Sequence, residues 1–316
     1  TMSLKTSGKI TGLTNPNFDL VIGTNDTSMK GWESLVPSLK EYEPDGNFTF
    51  QGSMKGTLGD LSANLQFSAP RLAVKVSQAT GGSKDATPSK SVFEFMDMKV
   101  QAEKKNNDIK GSGNLEIKKG VVMAAAFEKM QAQFDYQSDV LGIHGFQAHA
   151  FQGDISMEGK VKPGKLHWVM KPVITNINMA EVVDTLTQYK GLFKGIFSGS
   201  FTANSAGDDT QKGAIDATGS FRLDHGEIMN VNLVDTVMES LFGIKGVSMF
   251  AEKEGSELEK QKITRFDSMD GDFSMTRNTI NLKKVALHNI HTVKITETDA
   301  SIDGLVDCNT NSLNLK

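Results

Sequence analysis

Apolar and polar residues alternate with a period of two over most of this chain, the mark of strands with one apolar and one solvated face. In "LSANLQFSA", Leu61, Ala63, Leu65, Phe67 and Ala69 share a face, while Ser, Asn and Gln fill the other. Leu72, Val74 and Val76 continue the pattern, as do Ala132, Phe134 and Tyr136, then Leu166, Trp168 and Met170. Ile215, Ala217, Phe221 and Leu223 do the same, with Gly219 between them. A strand wet on one side belongs to antiparallel rather than buried parallel sheet. The chain is predicted to be mainly β, with a few short α-helices.

Three segments switch to helical spacing: Trp32, Leu35, Val36 and Leu39; then Val182, Val183, Leu186, Tyr189 and Phe193; then Val231, Val234, Val237, Met238, Leu241 and Phe242. Thr27 or Ser28, Asn178 and Asn230 stand where N-caps belong. Helices this short hold only by covering a sheet with their apolar side. The stretch from Val173 to Gly207 therefore reads strand, helix, strand, and Leu20 to Gly56 repeats that order with few of the same letters. Ser77 to Ser91 is a long excursion without an apolar anchor, and "NSAGDDTQKG" and "EKEGSELEKQK" read as loops. "GSGNLE", from Gly111, lacks the third glycine and following helix of a dinucleotide loop and reads as a hairpin.

An internal repeat ties these pieces together. "FEKMQAQFDYQSDVLGIHGFQAHAF" aligns with "FDSMDGDFSMTRNTINLKKVALHNI" at a step of 266 − 127 = 139 residues. That step pairs Phe127 with Phe266, Met130 with Met269, Phe134 with Phe273, Tyr136 with Met275, Leu141 with Ile280, Ile143 with Leu282 and Ala148 with Leu287. Apolarity is kept while identity drifts. No linker divides the chain, so residues 1–316 are expected to form one elongated, repeat-built segment with units of about 1–165 and 166–316. A closed barrel competes with this reading, but the interrupting helices and open ends argue against it.

Composition narrows the function. A net charge of −4 and a pI near 5.9, with Lys and Arg scattered singly, exclude a nucleic-acid partner. Phe (18) and Met (15) far outnumber Tyr (3) and Trp (2), which favours an adaptable apolar surface. The single Cys308, expected on a strand, rules out an internal disulfide. No apolar run approaches the roughly 20 residues of a membrane-spanning helix. The chain opens and stops inside strand patterns, so it is expected to be a fragment of a longer protein.

Candidate chemistry is sparse. His288 and His291 in "HNIH", and His144 and His149 in "HGFQAH", have odd spacings that on a regular strand put the rings on opposite faces. No metal site is expected. No nucleophile motif is present, so the chain is read as no enzyme, with no catalytic residues and no cofactor.

The blocks "ITNINMAEVVDTLTQYKGLFKGIFSGSFTANSAG", "GSFRLDHGEIMNVNLVDTVMESLFGIKG" and "TRFDSMDGDFSMTRNTINLKKVALHNI…ASIDGLVD" resemble, in that order, the carboxy-terminal region of the AsmA family, envelope proteins of Gram-negative bacteria related to TamB. The resemblance runs from Phe18 to the end and is best from Trp168 onward. It implies a strongly curved, repeating β-groove with an apolar concave face, in the periplasm. It also implies inner-membrane anchoring through a helix outside this fragment, and a role in moving phospholipid between inner and outer membranes and in outer-membrane biogenesis.

On that reading the groove is lined by Leu65, Phe67, Val74, Phe134, Tyr136, Ile143, Met157, Trp168, Phe201, Phe221, Phe273, Met275, Ile280 and Leu282. Phospholipid acyl chains are the partner. The alternative is an assembly factor for outer-membrane proteins that pairs its open sheet edge with other envelope proteins. A glycan-active β-solenoid would need a carboxylate cluster on one face, and none occurs at matching strand positions.

Overall fold

In a computed structural model of the protein, residues 4–34, 36–76, 89–122, 124–163, 167–187, 190–205, 215–229, 263–276, 279–291, 299–307 and 312–315 are described. Alternation builds the strands β1 (Leu4–Thr11), β2 (Asn17–Thr24), β3 (Thr27–Ser28), β4 (Asp45–Thr57), β5 (Asp60–Val76), β6 (Ser89–Lys105), β7 (Asp108–Val122), β8 (Ala125–Gln137) and β9 (Val140–Ala150). They are followed by β10 (Gly153–Lys162), β11 (His167–Asn178), β12 (Phe193–Ser205), β13 (Ile215–Met229), β14 (Ile263–Thr276), β15 (Thr279–His291), β16 (Ala300–Asp307) and β17 (Ser312–Leu315). The protein is mostly β, and its meander is antiparallel and open.

Two compact units divide the chain. The first holds residues 1–150 and 155–170, the second 151–154 and 171–316, so the division runs through β10 and β11. In the first unit β1 pairs with β2, and β4 pairs with β2 along one half and with the short β3 along the other. From β4 to β9 each strand pairs with the next. In the second unit β12 to β17 form the same kind of run.

Among the described residues one α-helix stands, α1 (Met179–Leu186), between β11 and β12. The expected cap is present: Asn178 Oδ1 accepts from the Ala180 and Glu181 amides at 3.1 and 3.5 Å. The helix ends before Phe193, which belongs to β12 instead. The first predicted helix is replaced by two single 3₁₀ turns, Trp32–Ser34 and Pro37–Glu41. Pro37 removes a donor where a continuous helix would need one, and Gly31 in left-handed backbone (φ 91°) stops extension backwards. "GSGNLE" lies inside β7, not in a hairpin. Leu35, Leu166, Tyr189, the third helical segment, the excursion 77–88, "EKEGSELEKQK" and Cys308 lie outside the described residues.

Regular pleating breaks at one place on nearly every strand. In β5 the residues facing β6 partners on the apolar side run Leu65, Phe67, Ala69 and then Leu72, Val74. In β6 they run Phe93, then Met96 and Met98; in β7 Ile117, then Gly120; in β8 Phe127, then Met130. One residue is skipped each time, and the skipped ones include Phe95 and Lys129 with φ of 55°. The second unit repeats the device at Gly195, His225, Lys284 and Asn289, again with positive φ. Each skip is a bulge-like interruption that bends its strand; from β5 to β8 and between β13 and β14 the skipped residues oppose one another and the register is kept. Because the bulges of neighbouring strands face one another across the register, they crease the sheet.

The crease folds toward the apolar side. Phe48, Ala69, Leu72, Ile117 and Phe127 flank it on that side and are buried, whereas Arg71, Phe95, Lys118 and Lys129 on its other side are exposed. Trp32 meets Phe48 edge-on at 5.2 Å, and in the second unit Met179 of α1 packs on the cluster of Leu223, Phe266, Val285, Leu287 and Ile290. No other described element covers this face, so the burial comes from the sheet's own walls converging.

Convergence leaves little room, and glycine supplies it. Phe93 and Phe127 face Gly120 from either side, with ring centroids 6.2 Å apart. Phe201 and Phe273 face Gly219 likewise, at 5.9 Å and 64°. A Cβ at Gly226 would come within 2.1 Å of the Phe266 ring. Substituting Gly226→Ala is expected to cost about 1–3 kcal/mol, the range for overpacking, in urea unfolding. Adding Phe266→Leu should return part of that loss. A cost near zero for Gly226→Ala would refute the ring-over-glycine account.

Candidate functional site

Residues directly opposite in an antiparallel pair share a face, so the register traces the apolar surface as rows running across strands. In the first unit one row is Ile22, Gly52, Leu65, Val100, Gly113, Phe134 and Ile143. Toward the crease runs Phe50, Phe67, Met98, Leu115 and Ala132. Away from it runs Leu20, Met54, Ala63, Ala102, Gly111, Tyr136 and Leu141. Val74 lies beyond the crease, opposite Ser91.

The second unit carries Phe201, Gly219, Phe273 and Leu282 in one row and Ala203, Ala217, Met275 and Ile280 in the next. Phe221 faces Gly199 and Gly271 one row nearer the crease and stacks on Phe197, with centroids 6.3 Å apart. Of the residues predicted to line a groove, the rows bring together Leu65, Phe67, Phe134, Tyr136 and Ile143 in one unit and Phe201, Phe221, Phe273, Met275, Ile280 and Leu282 in the other. Met157 on β10 and Trp168 on β11 are half-buried but fall outside the rows just traced.

None of these side chains is fully buried. Leu65 is exposed at 36% and the rest are half-buried. That is the state of a concave surface lined by side chains, neither packed away under a second layer nor fully in water. Sequence reasoning missed Phe50, Met98, Val100 and Leu115, which the same alternation could have supplied. Tyr136 has a polar handle: its hydroxyl donates to Asp139 Oδ1 at 2.8 Å, and that bond holds the phenol above its usual range.

The repeat is deeper than its sequence trace. Gly113 opposite Phe134 is matched by Gly219 opposite Phe273, and Gly120 opposite Phe127 by Gly226 opposite Phe266. The step between these glycines is 219 − 113 = 106 residues, against 139 for the strands that follow. Residues 230–262 separate β13 from β14, where only 123–124 separate β7 from β8.

The other face is polar and carries cross-strand ion pairs and hydrogen bonds. Glu227 takes Lys194 Nζ and Arg265 Nε, each at 2.9 Å, from the strands on either side. Asp267 accepts from His291 at 3.0 Å and from the Asn289 side chain at 3.0 Å, and His288 Nε2 sits 3.1 Å from Asp270. Here the structure corrects the sequence: the bulge at Asn289 turns His288 and His291 to the same face. The bulge at Gly145 does likewise for His144, opposite Gln133, and His149, opposite Glu128. Among the described residues no group of three or more His, Cys, Asp or Glu is placed to hold a metal. Open depressions, one of about 790 Å³ between Gln51, Gln66 and Lys99 and the neighbouring Ser53, Asn64 and Gln101, are corrugations of this polar face.

The hydrogen bond from Lys194, aided by the Arg265 charge, holds Glu227 below the ordinary glutamate value of 4.5. A carboxylate depressed on folding adds stability above its unfolded value and loses it as pH falls through the folded one. Glu227→Gln should therefore be less stable than the parent at pH 7, by about 1 kcal/mol at most for so wet a pair. The gap should close in acid. A gap that does not change between pH 7 and pH 3 in denaturant titrations would remove Glu227 from the linkage.

Comparison with protein-family models, with curated proteins and with solved structures gives no match.

Proposed function

We propose that the apolar concave face binds the acyl chains of phospholipid and that the protein is a non-enzymatic lipid-transfer segment. The observation that carries this is the set of unbroken apolar rows whose side chains stay half-buried with no second layer over them among the described residues. A surface of that kind is avoided by soluble proteins unless something covers it. Acyl chains suit it, because each buried methylene contributes about 0.8 kcal/mol without a fixed geometry. Phe, Met, Leu and Ile mounted above glycines give a smooth floor rather than a shaped pocket. The resemblance to the AsmA family supports transport of phospholipid between the two membranes of a Gram-negative envelope, with this segment in the periplasm.

Edge pairing with other envelope proteins has one observation in its favour: β1, which pairs with β2, is exposed along its whole length. Lys5 and Lys9 on that strand are the charges that guard an edge against such pairing. The lipid reading is the better supported.

Protein purified from a membrane-containing host should carry phospholipid, seen by native mass spectrometry and by lipid extraction. Phe134→Asp, Phe201→Asp and Phe273→Asp each set a charge in a row that needs apolarity and should lower bound lipid about tenfold. Circular dichroism should still show the parent's strand signal. Lipid retained at parental level by all three folded variants would overturn the proposal.

A further inference from the structure

The outermost apolar row of the first unit contains one residue that does not belong there. Register runs Ile10, Phe18, Gly56, Leu61, Lys104 and Ile109 across β1, β2, β4, β5, β6 and β7. Among the register-paired positions of this face from β1 to β9, Lys104 is the single charged side chain. The paired positions on the apolar face from β12 to β15 include none.

Its neighbours do not neutralise it. Lys104 stands between Leu61 and Ile109, and Ala102 precedes it on the same face. It is half-buried and forms no ion pair among the described residues. In the row beside it on the opposite face the lysines are placed differently: Lys9 faces Asp19, Asp19 faces Lys55, and Lys110 faces Glu103. That row matches each cation with a carboxylate, and the Lys104 row does not.

Position gives the unmatched charge a use. Lys104 sits one residue from the end of β6, at the lip where the apolar rows begin. From there the strand descends through Ala102, Val100 and Met98 to Met96 beside the crease. Eight residues of strand span about 27 Å. A bilayer's apolar core is about 30 Å for two opposed tails, so one tail reaches roughly 15 Å. A tail whose polar end is held at Lys104 would lie along Ala102 and Val100 and stop short of the crease.

We infer that Lys104 holds the phosphate of a bound phospholipid at the lip of the first unit, so that lipids enter this face tail-inward and head-out. The inference rests on the lipid reading above and adds to it a polarity and a head-group chemistry. An ammonium on a flexible stem suits a phosphate as a point charge, and its methylenes lie along the apolar surface beside Leu61 and Ile109.

The test uses the whole chain with two probes carrying the same fluorescent tail, a phosphatidylglycerol and a diacylglycerol that lacks the phosphate. The parent should prefer the phosphatidylglycerol. Lys104→Met should reduce that preference roughly threefold to fivefold, the scale of a half-exposed ion pair, while leaving diacylglycerol binding unchanged, and Lys104→Arg should keep the preference. Inorganic phosphate at millimolar concentration should not displace the lipid.

An unchanged preference in Lys104→Met overturns the role of Lys104 and leaves the lipid reading standing. Equal loss of both probes in Lys104→Met shows a packing role and overturns it too. Displacement by inorganic phosphate makes the site an anion site without a tail, which also overturns it. Binding of neither probe by the parent overturns the lipid reading and the head-group assignment together.

Discussion

A strand that crosses the crease of this sheet must skip one residue, or its apolar side chains would change sides. Side chains alternate with a strict period of two, and the apolar positions of these strands change phase once, as from Ala69 to Leu72, so without a skipped residue each strand would be apolar inward on one wall and apolar outward on the other. The bulges at Phe95, Lys129, His225 and Asn289 absorb that phase error. They let Phe93 and Met96, or Phe127 and Met130, stay on one surface across the fold line. The residues expelled outward are those that tolerate exposure: Lys118, which lies 5.6 Å over the Phe95 ring, Lys129, His225, and Asn289, whose side chain donates to Asp267. Strain is present in each non-glycine left-handed residue. It is offset by keeping two walls of apolar side chains continuous.

Once the walls converge, size must be rationed across strands. Many phenylalanines on the concave side stand opposite a glycine of an adjacent strand, as Phe134, Phe201, Phe221 and Phe273 do, and two phenylalanines flanking one glycine meet above it. Such ring pairs contribute about 0.5–1.5 kcal/mol beyond their area, and they cover the backbone the glycine would otherwise leave open. This explains why the repeat keeps the glycine and phenylalanine positions, Gly113 with Phe134 and Gly219 with Phe273, while Ala132 gives way to Gly271 and Leu115 to Phe221. The pair is conserved in sum. Its members trade places.

The same logic separates what was legible in the chain from what was not. Alternation alone identifies strands and the antiparallel class, and even the phase change is written in the letters, since Leu65, Phe67 and Ala69 are odd and Leu72 and Val74 are even. Reading that change as a bulge requires knowing that both sets line one surface, which only the register of β5 against β6 shows. The histidine faces were misjudged for this reason: an odd spacing means opposite faces on a regular strand and the same face across one bulge. The strand–helix–strand reading of Val173 to Gly207 holds where described because Asn178 caps α1. Trp32 to Leu39 fails as a helix because Pro37 sits inside it. The groove-lining residues missed from the sequence, Phe50 on β4, Met98 and Val100 on β6 and Leu115 on β7, obey the same period of two; what the letters do not show is that these strands pair into the same rows, which the register supplies.

A sheet built this way is committed to a surface it does not itself cover. In a sandwich the second layer fills the space between apolar faces and selects side chains for shape. Here the floor is set by ring-over-glycine pairs internal to the sheet, and the space above Leu65, Phe134, Phe201 and Phe273 is left to something else. Drift in side-chain identity with retention of apolarity is what a non-directional interaction permits, since burial scales with apolar area and not with fit. A protein partner would require complementary shape and would hold those identities fixed. A fluid ligand of uniform methylenes would not. The one charged side chain among the register-paired positions of the face in the first unit, Lys104, lies at its outer margin, where such a ligand would carry its charge.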